Sequence, residues 1–188
     1  MKKIGLIGED PNDTLAIKNL LEQRYPKKFQ FKQLIKNKKG YQLDNARVSH
    51  ALKIEFDDFK PHHVIFIRDT DAIESEKEKI KKVLDWFKKL NSIVNNKGLL
   101  LANIYELEAL ILADIDSFNK LYSTKISYTK NVMLQKEPKE FLIGKTFKNK
   151  KTYSESHCPI IFEHLRVEII IKNCRYFKEF CENLDDRL

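Results

Sequence analysis

The run Val64-Ile65-Phe66-Ile67 is apolar without a break, ends on Arg68, and is followed by Asp69-Thr70-Asp71. Four consecutive apolar positions bounded by polar residues predict a strand buried on both faces. Similar punctuation marks the rest of the first two thirds of the chain. Residues 3–8 predict a buried first strand, and residues 11–24 a helix with Ile17, Leu20 and Leu21 on its apolar face, started by Asp10-Pro11. Residues 29–35 alternate as a second strand and run into the polar turn at 36–40. Residues 47–59 read as a helix, 64–67 as the third strand, 75–90 as a charged amphipathic helix, and 99–102 as a fourth short strand. Residues 105–122 then read as one helix with a long apolar face. Strand and helix alternate throughout, which predicts an α/β fold: a mostly parallel sheet with helices on both faces.

The texture changes after Ser123. Residues 124–158 are polar, with few periodic apolar positions, and read as a lysine-rich loop or insertion. Helical periodicity returns over 159–188 as two helices broken near residues 172–174. At 188 residues the chain is long enough for one well-buried core, so we expect a single domain: an α/β core over 1–123, the basic excursion, and C-terminal helices packing on the core.

Composition narrows the class. A 42% hydrophobic content with only five glycines and five prolines argues against disorder or a fibrous repeat. No apolar run approaches the ~20 residues of a membrane helix, and the short apolar stretch after the opening lysines is not a signal peptide, so the cytoplasm is the expected compartment. Cys158, Cys174 and Cys181 are odd in number and form no Cys-x-x-Cys, which argues for small core residues rather than disulfides or zinc ligands. The net charge of +8 favours a polyanionic partner such as nucleic acid. Lysines concentrate at 25–41 and again at 144–153, where Lys145, Lys148, Lys150 and Lys151 stand beside Phe147 and Tyr153, aromatics that could stack on unpaired bases. Solvated faces are the plain alternative for both stretches. His62, His63 and His157 are expected to be structural.

The candidate chemistry lies in the acids. Functional groups of an open α/β sheet gather at the carboxyl ends of its strands. The first strand ends at Glu9-Asp10, the third at Asp69-x-Asp71, and the fourth near Glu106. Acids brought together there would repel one another unless a cation relieved them, and hard oxygen ligands suit Mg²⁺ or Mn²⁺. Asp69 and Asp71 would point to the same side if their turn stays extended. Helix caps and solvated loop acids explain the same residues without a metal. Arg68 is either a phosphate-steadying guanidinium or an ion-pair partner of a neighbouring carboxylate.

The segments GLIGEDPND, VIFIRDTDA and YELEALILAD, in that order, resemble the Toprim fold, a Rossmann-like α/β arrangement. With KNCRYFKEFCENL near the C-terminus they resemble a small bacterial Toprim-like branch related to the RloB-like and OLD-type nucleases. The resemblance covers nearly the full chain. It implies that Glu9 is a general acid/base or metal ligand, that Asp69 and Asp71 bind metal, and that Glu106 is the further acid, with Glu108 two residues on; on a helix only one of the two would face the metal, and Glu106 is the nearer to the strand end. It also implies an Mg²⁺-dependent nuclease, with a partner ATPase in anti-phage defence. Two rivals stand beside it. One is a catalytically silent Toprim-like module that binds nucleic acid or a partner. The other is a phosphorylation-receiver domain with Asp69 as acceptor, which would explain neither Asp71 nor the Tyr-Glu-x-Glu segment.

Overall fold

The computed structural model describes residues 1–35 and 45–188; the polar turn at 36–40 and the end of the basic stretch 25–41 lie outside them. Four strands, β1 (Lys2–Ile7), β2 (Phe29–Gln33), β3 (His63–Asp69) and β4 (Gly98–Asn103), form one sheet in the order β2-β1-β3-β4. Every neighbouring pair is parallel. The α/β sheet expected from the hydrophobic runs is therefore the one the chain builds.

Side-chain alternation splits these strands between two cores. Ile4, Leu6, Ile65, Ile67, Leu99 and Leu101 face one side, where they pack with residues of α1 (Pro11–Arg24), α4 (Ala109–Ala113), α5 (Ile115–Tyr122), α7 (Cys158–His164), α8 (Val167–Asn173) and α9 (Arg175–Asp185). Ile7, Val64 and Phe66 face the other, against Val48, Leu52 and Phe56 of α2 (Ala46–Phe59) and Leu90 of α3 (Lys77–Ile93). Both faces of the central strands are thus dry, which is why they read as unbroken apolar runs. The three cysteines are buried and free, and Cys158, Cys174 and Cys181 all lie in the larger core. Among the described residues no helix is long and apolar enough to cross a membrane.

Three expectations need correction. The single helix over 105–122 is two helices, α4 and α5, that break at Asp114. The fully buried Asp114 carboxylate accepts the Arg166 backbone N–H (2.8 Å) and the Arg166 Nε (3.1 Å), and also pairs with its Nη2, which ties the break to the start of α8. The C-terminal region contains three helices rather than two, because the chain also turns at Leu165-Arg166. The excursion is not a loop. It carries α6 (Pro138–Thr146) and buries Val132, Met133, Leu142 and Tyr153 in the larger core. Each of its short elements contributes only one or two apolar anchors, too few to register as a period.

Asp114 tests how strongly this junction is held. Arg166 is 46% exposed at its side chain and can turn to water when its partner is lost. Asp114→Ala should therefore cost about 1–3 kcal/mol, the penalty of an unmade buried hydrogen bond, rather than the larger loss of a sealed ion pair. Urea unfolding of the variant and of Asp114→Asn checks the figure.

Candidate functional site

The strand order turns at β1: β2 lies on one side of it and β3 on the other. In open parallel sheets the crevice at such a switch point, beyond the carboxyl ends of the strands, is where ligands bind. Gly8 and Glu9 leave β1 there. A Cβ on Gly8 would come within 2.8 Å of Thr14 Cγ2, so only glycine lets the chain turn so tightly into α1. Asp10 caps that helix, accepting the Asn12 N–H at 2.7 Å, and Asp13 stands in its first turn. Asp69 ends β3 directly opposite Asn103, which ends β4. By strand alternation Asp69 continues the face of Ile65 and Ile67, whereas Arg68 continues that of Phe66.

These residues line a cleft of about 370 Å³, walled by Glu9, Asp10, Asp13, Asp69, Glu108, Glu155 and Lys139. Six carboxylates thus face one lysine. The Glu9 carboxylate takes an ion pair from Arg68 Nε at 3.0 Å, and the Arg68 guanidinium lies 4.6 Å from the Trp86 ring centroid. Asn103 Nδ2 donates to Asp69 Oδ1 at 2.9 Å, while Asn103 Oδ1 is buried with no partner. Glu108 is almost fully buried and accepts from Tyr153 Oη at 2.7 Å; the same hydroxyl lies 3.1 Å from Cys158 Sγ.

The crowding sets the proton affinities. Burial, helped by Glu108, Asp10 and Glu9, pushes Asp13 up to about 8. Burial and the neighbouring Asp13, Glu108 and Glu9 lift Asp69 well above the ordinary carboxylate range, against the pull of the Asn103 hydrogen bond. Burial likewise raises Glu108, although Tyr153 opposes it. Like charges in a low-dielectric crevice hold protons until something positive replaces them.

Several expected site residues stand elsewhere. Asp71 has φ of 47°, in the left-handed region, so its turn is not extended and the premise that aligned it with Asp69 fails. It is exposed and does not line the cleft. The turn is fastened to the end of β4: Thr70 N–H bonds Asn103 O (3.0 Å), Asp71 N–H bonds Tyr105 O (3.0 Å), and Tyr105 N–H bonds Ala72 O (2.9 Å). Of the two glutamates before α4, Glu108 reaches the cleft and Glu106 does not. Glu106 instead accepts the Lys139 N–H (3.1 Å) at the start of α6, with Lys139 Nζ at 3.8 Å. Burial, with help from Glu108, pushes its carboxyl up to about 7 against that lysine.

The basic excursion holds residues that the sequence did not mark for this site. Lys139 reaches the cleft wall, where it also pairs with Glu155 at 3.4 Å, and Tyr153 holds Glu108. Tyr153 is therefore buried and cannot stack on a base, whereas Phe147 is 71% exposed. Lys145, Lys148, Lys150 and Lys151 are exposed; Lys145 lies over the Phe141 ring and Lys151 over the Tyr122 ring. His157 Nδ1 pairs with Tyr122 Oη at 2.7 Å, and His62 Nδ1 accepts the Lys3 N–H at 3.0 Å, both structural bonds. Asp13 was the missed acid: its spacing from Asp10 within the first turn of α1 is the signal that could have found it.

The donors in the cleft suit a hard divalent ion in kind: several carboxylates whose proton affinities are raised by crowding. Among the described residues, however, no three His, Cys, Asp or Glu side chains form a ready metal-binding group. Binding would thus require carboxylates to turn inward against their mutual repulsion, which the charge of the ion itself would have to offset.

Stability should report this directly. The folded-state affinity of Asp13 lies above its unfolded value, so its contribution is complete below pH ~4 and is lost as pH rises to about 8. The metal-free protein should melt at progressively lower temperature across that window. Asp13→Asn should flatten the slope, and Mg²⁺ or Mn²⁺ should restore much of the loss at the alkaline end. Thermal melts against pH, with EDTA or with either metal, check all three.

No family model, curated protein or solved structure matches the chain, so its chemistry is read from this cleft and from the motifs that form it.

Proposed function

We propose that the chain is a divalent-cation-dependent phosphodiester hydrolase acting on nucleic acid, of the Toprim-like nuclease kind that its motifs resemble. The observation that carries this reading is the convergence of Glu9, Asp13, Asp69 and Glu108, from separate points of the chain, on one cleft at the switch point of the sheet. Asp69, Glu108 and Asp13 are the residues that would hold Mg²⁺ or Mn²⁺. A bound ion of this kind neutralises charge on a phosphate and makes water a better nucleophile near neutral pH.

The chain's own groups supply the rest. Glu9 is 31% exposed at its side chain and is oriented by Arg68, so it is the acid best placed to take a proton from attacking water. Arg68 acts on the reaction through Glu9 rather than by touching phosphate. Among the described residues Lys139 is the one that brings an ammonium to the cleft wall, suited to steadying a phosphate oxygen. Asn103 and Tyr153 fix Asp69 and Glu108. Asp71 and Glu106, implied as ligands by the resemblance, have supporting parts in this reading: Asp71 shapes the turn and Glu106 anchors α6. A partner ATPase belongs to the proposal on the strength of the resemblance alone, and a cytoplasmic setting on the sequence pattern.

The receiver reading gains something from the β2-β1-β3-β4 order, since phosphorylation receivers share the doubly wound plan with acids after β1. Against it, Asp69 is half-buried and engaged by Asn103, and no strand follows β4 among the described residues to carry a lysine to it.

The test is cleavage of mixed DNA and RNA substrates with Mg²⁺, Mn²⁺ or EDTA. Asp69→Asn and Glu108→Gln should each lower metal-dependent cutting by about 100-fold or more. Asp71→Asn and Glu106→Gln should cost far less. Equal loss at Asp71 and Asp69 would restore the Asp-x-Asp pair. A folded wild type that binds nucleic acid but never cuts would leave the silent module, and a stable acyl phosphate on Asp69 after treatment with acetyl phosphate would favour the receiver.

A further inference from the structure

A second cavity, of about 290 Å³, is lined by Lys172, Arg175 and Lys178 together with Glu74, Asn131 and Asn173. Three cations face one carboxylate there. The cavity lies at the same edge of the sheet as the acid cleft. Arg187, just past α9, donates to the carbonyl of Gly98 at the start of β4 (3.0 Å), so the opposite end of α9, which carries Arg175 and Lys178, reaches the carboxyl end of β4. Neighbouring strands are ~4.8 Å apart, so this position is displaced sideways from the β1–β3 crevice by roughly 5–10 Å.

The charges run against local preference. Arg175 and Lys178 occupy the opening of an eleven-residue helix that has no acid in its first turn, where the helix dipole disfavours cations. Such a broken local rule marks places where function outweighs folding. Glu74, from the loop after β3, pairs with Arg175 and is the carboxylate among the described lining residues, while Glu179, one turn on in α9, stands 3.7 Å from the Arg175 Nε. Lys178 has a long pairing with Glu182, 3.7 Å away. The walls are fixed: Asn131 Oδ1 accepts the Met133 N–H, and Asn173 Nδ2 donates to Ala113 O. A larger cavity of about 600 Å³ adjoins it, sharing Asn131, Lys172 and Asn173 as wall and adding Lys130. Its acids, Asp114 and Asp116, share Arg166, and Lys130 stands against the one charge left over.

We propose that this groove holds the phosphodiester backbone of a nucleic-acid strand beside the acid cleft, with Arg175 and Lys178 on one phosphate, Lys172 at the join, and Glu74 as the internal carboxylate that the phosphate displaces. This rests on the nucleic-acid reading above and extends it: the ligand is a polymer that crosses the carboxyl edge of the sheet, not a lone nucleotide. Cations alone would suit any anion. Two adjoining cavities with Lys172 on their shared wall favour a chain of them.

Binding is measured by fluorescence anisotropy with short fluorescein-labelled DNA and RNA strands, in EDTA and over a series of KCl concentrations, so that no cutting occurs. Arg175→Gln/Lys178→Gln should weaken binding about tenfold and reduce the slope of log affinity against log salt by roughly 1 to 2. Glu74→Gln should tighten binding severalfold, and by more than Glu22→Gln, which removes an equal charge from the exposed Lys18–Glu22 pair on α1. Circular dichroism confirms that each variant folds. The proposal is overturned if wild type binds neither strand at low salt, if the double variant keeps the wild-type slope, or if Glu74→Gln matches Glu22→Gln. Binding that behaves as expected in EDTA, alongside a protein that cuts nothing with Mg²⁺, would remove the hydrolase and leave this groove standing.

Discussion

Like charges gathered at one point of the sheet constrain everything around them. Glu9, Asp13, Asp69 and Glu108 share the β1–β3 crevice, where hydrogen bonds from Asn103 and Tyr153 hold Asp69 and Glu108. Packing alone would not favour such an arrangement, since unpaired acids in a low-dielectric cleft raise one another's proton affinity and destabilise the fold as pH rises. In the proposed reading this repulsion serves attraction for a divalent ion, and through the ion for phosphate, which hard carboxylate oxygens suit.

The surrounding architecture follows from the need to aim these groups. A parallel sheet sends all its strand ends to one edge, and the change of direction at β1 opens a crevice there. Strand alternation sends Asp69 to one face and Arg68 to the other, where Arg68 lies over Trp86 and reaches Glu9. The lysine-rich excursion closes the far wall. Its α6 is anchored on Glu106, its Lys139 enters the cleft, and its Tyr153 is buried against Glu108. Beyond β4, the cations at the head of α9 lie along the same edge, so acid cleft and basic groove face one side of the molecule.

The sheet was legible because burial on both faces writes itself as an unbroken apolar run, as at Val64–Ile67. The strand-end rule then located Glu9 and Asp69. What escaped depended on backbone conformation or on contacts distant in sequence. The Asp69-Thr70-Asp71 spacing suggested a pair, but the left-handed φ of Asp71 turns the chain away, and nothing in an aspartate requires or forbids that state. Glu106 and Glu108 could not be ranked by nearness to the strand, because the choice is made by Lys139 and Tyr153, 33 and 45 residues further on. The break at Asp114 is likewise set by Arg166, 52 residues away. Asp13 was not singled out, because an acid in the first turn of a helix is ordinary.

The proposed reading places a divalent ion in the crevice and not at the Asp71 turn. Crystals soaked in Mn²⁺ and measured for anomalous scattering tell the two apart. A peak is expected in the crevice among Asp69, Glu108 and Asp13, lost in Asp69→Asn crystals. A peak at Asp71 with the crevice empty, or no peak in well-ordered crystals, would contradict it.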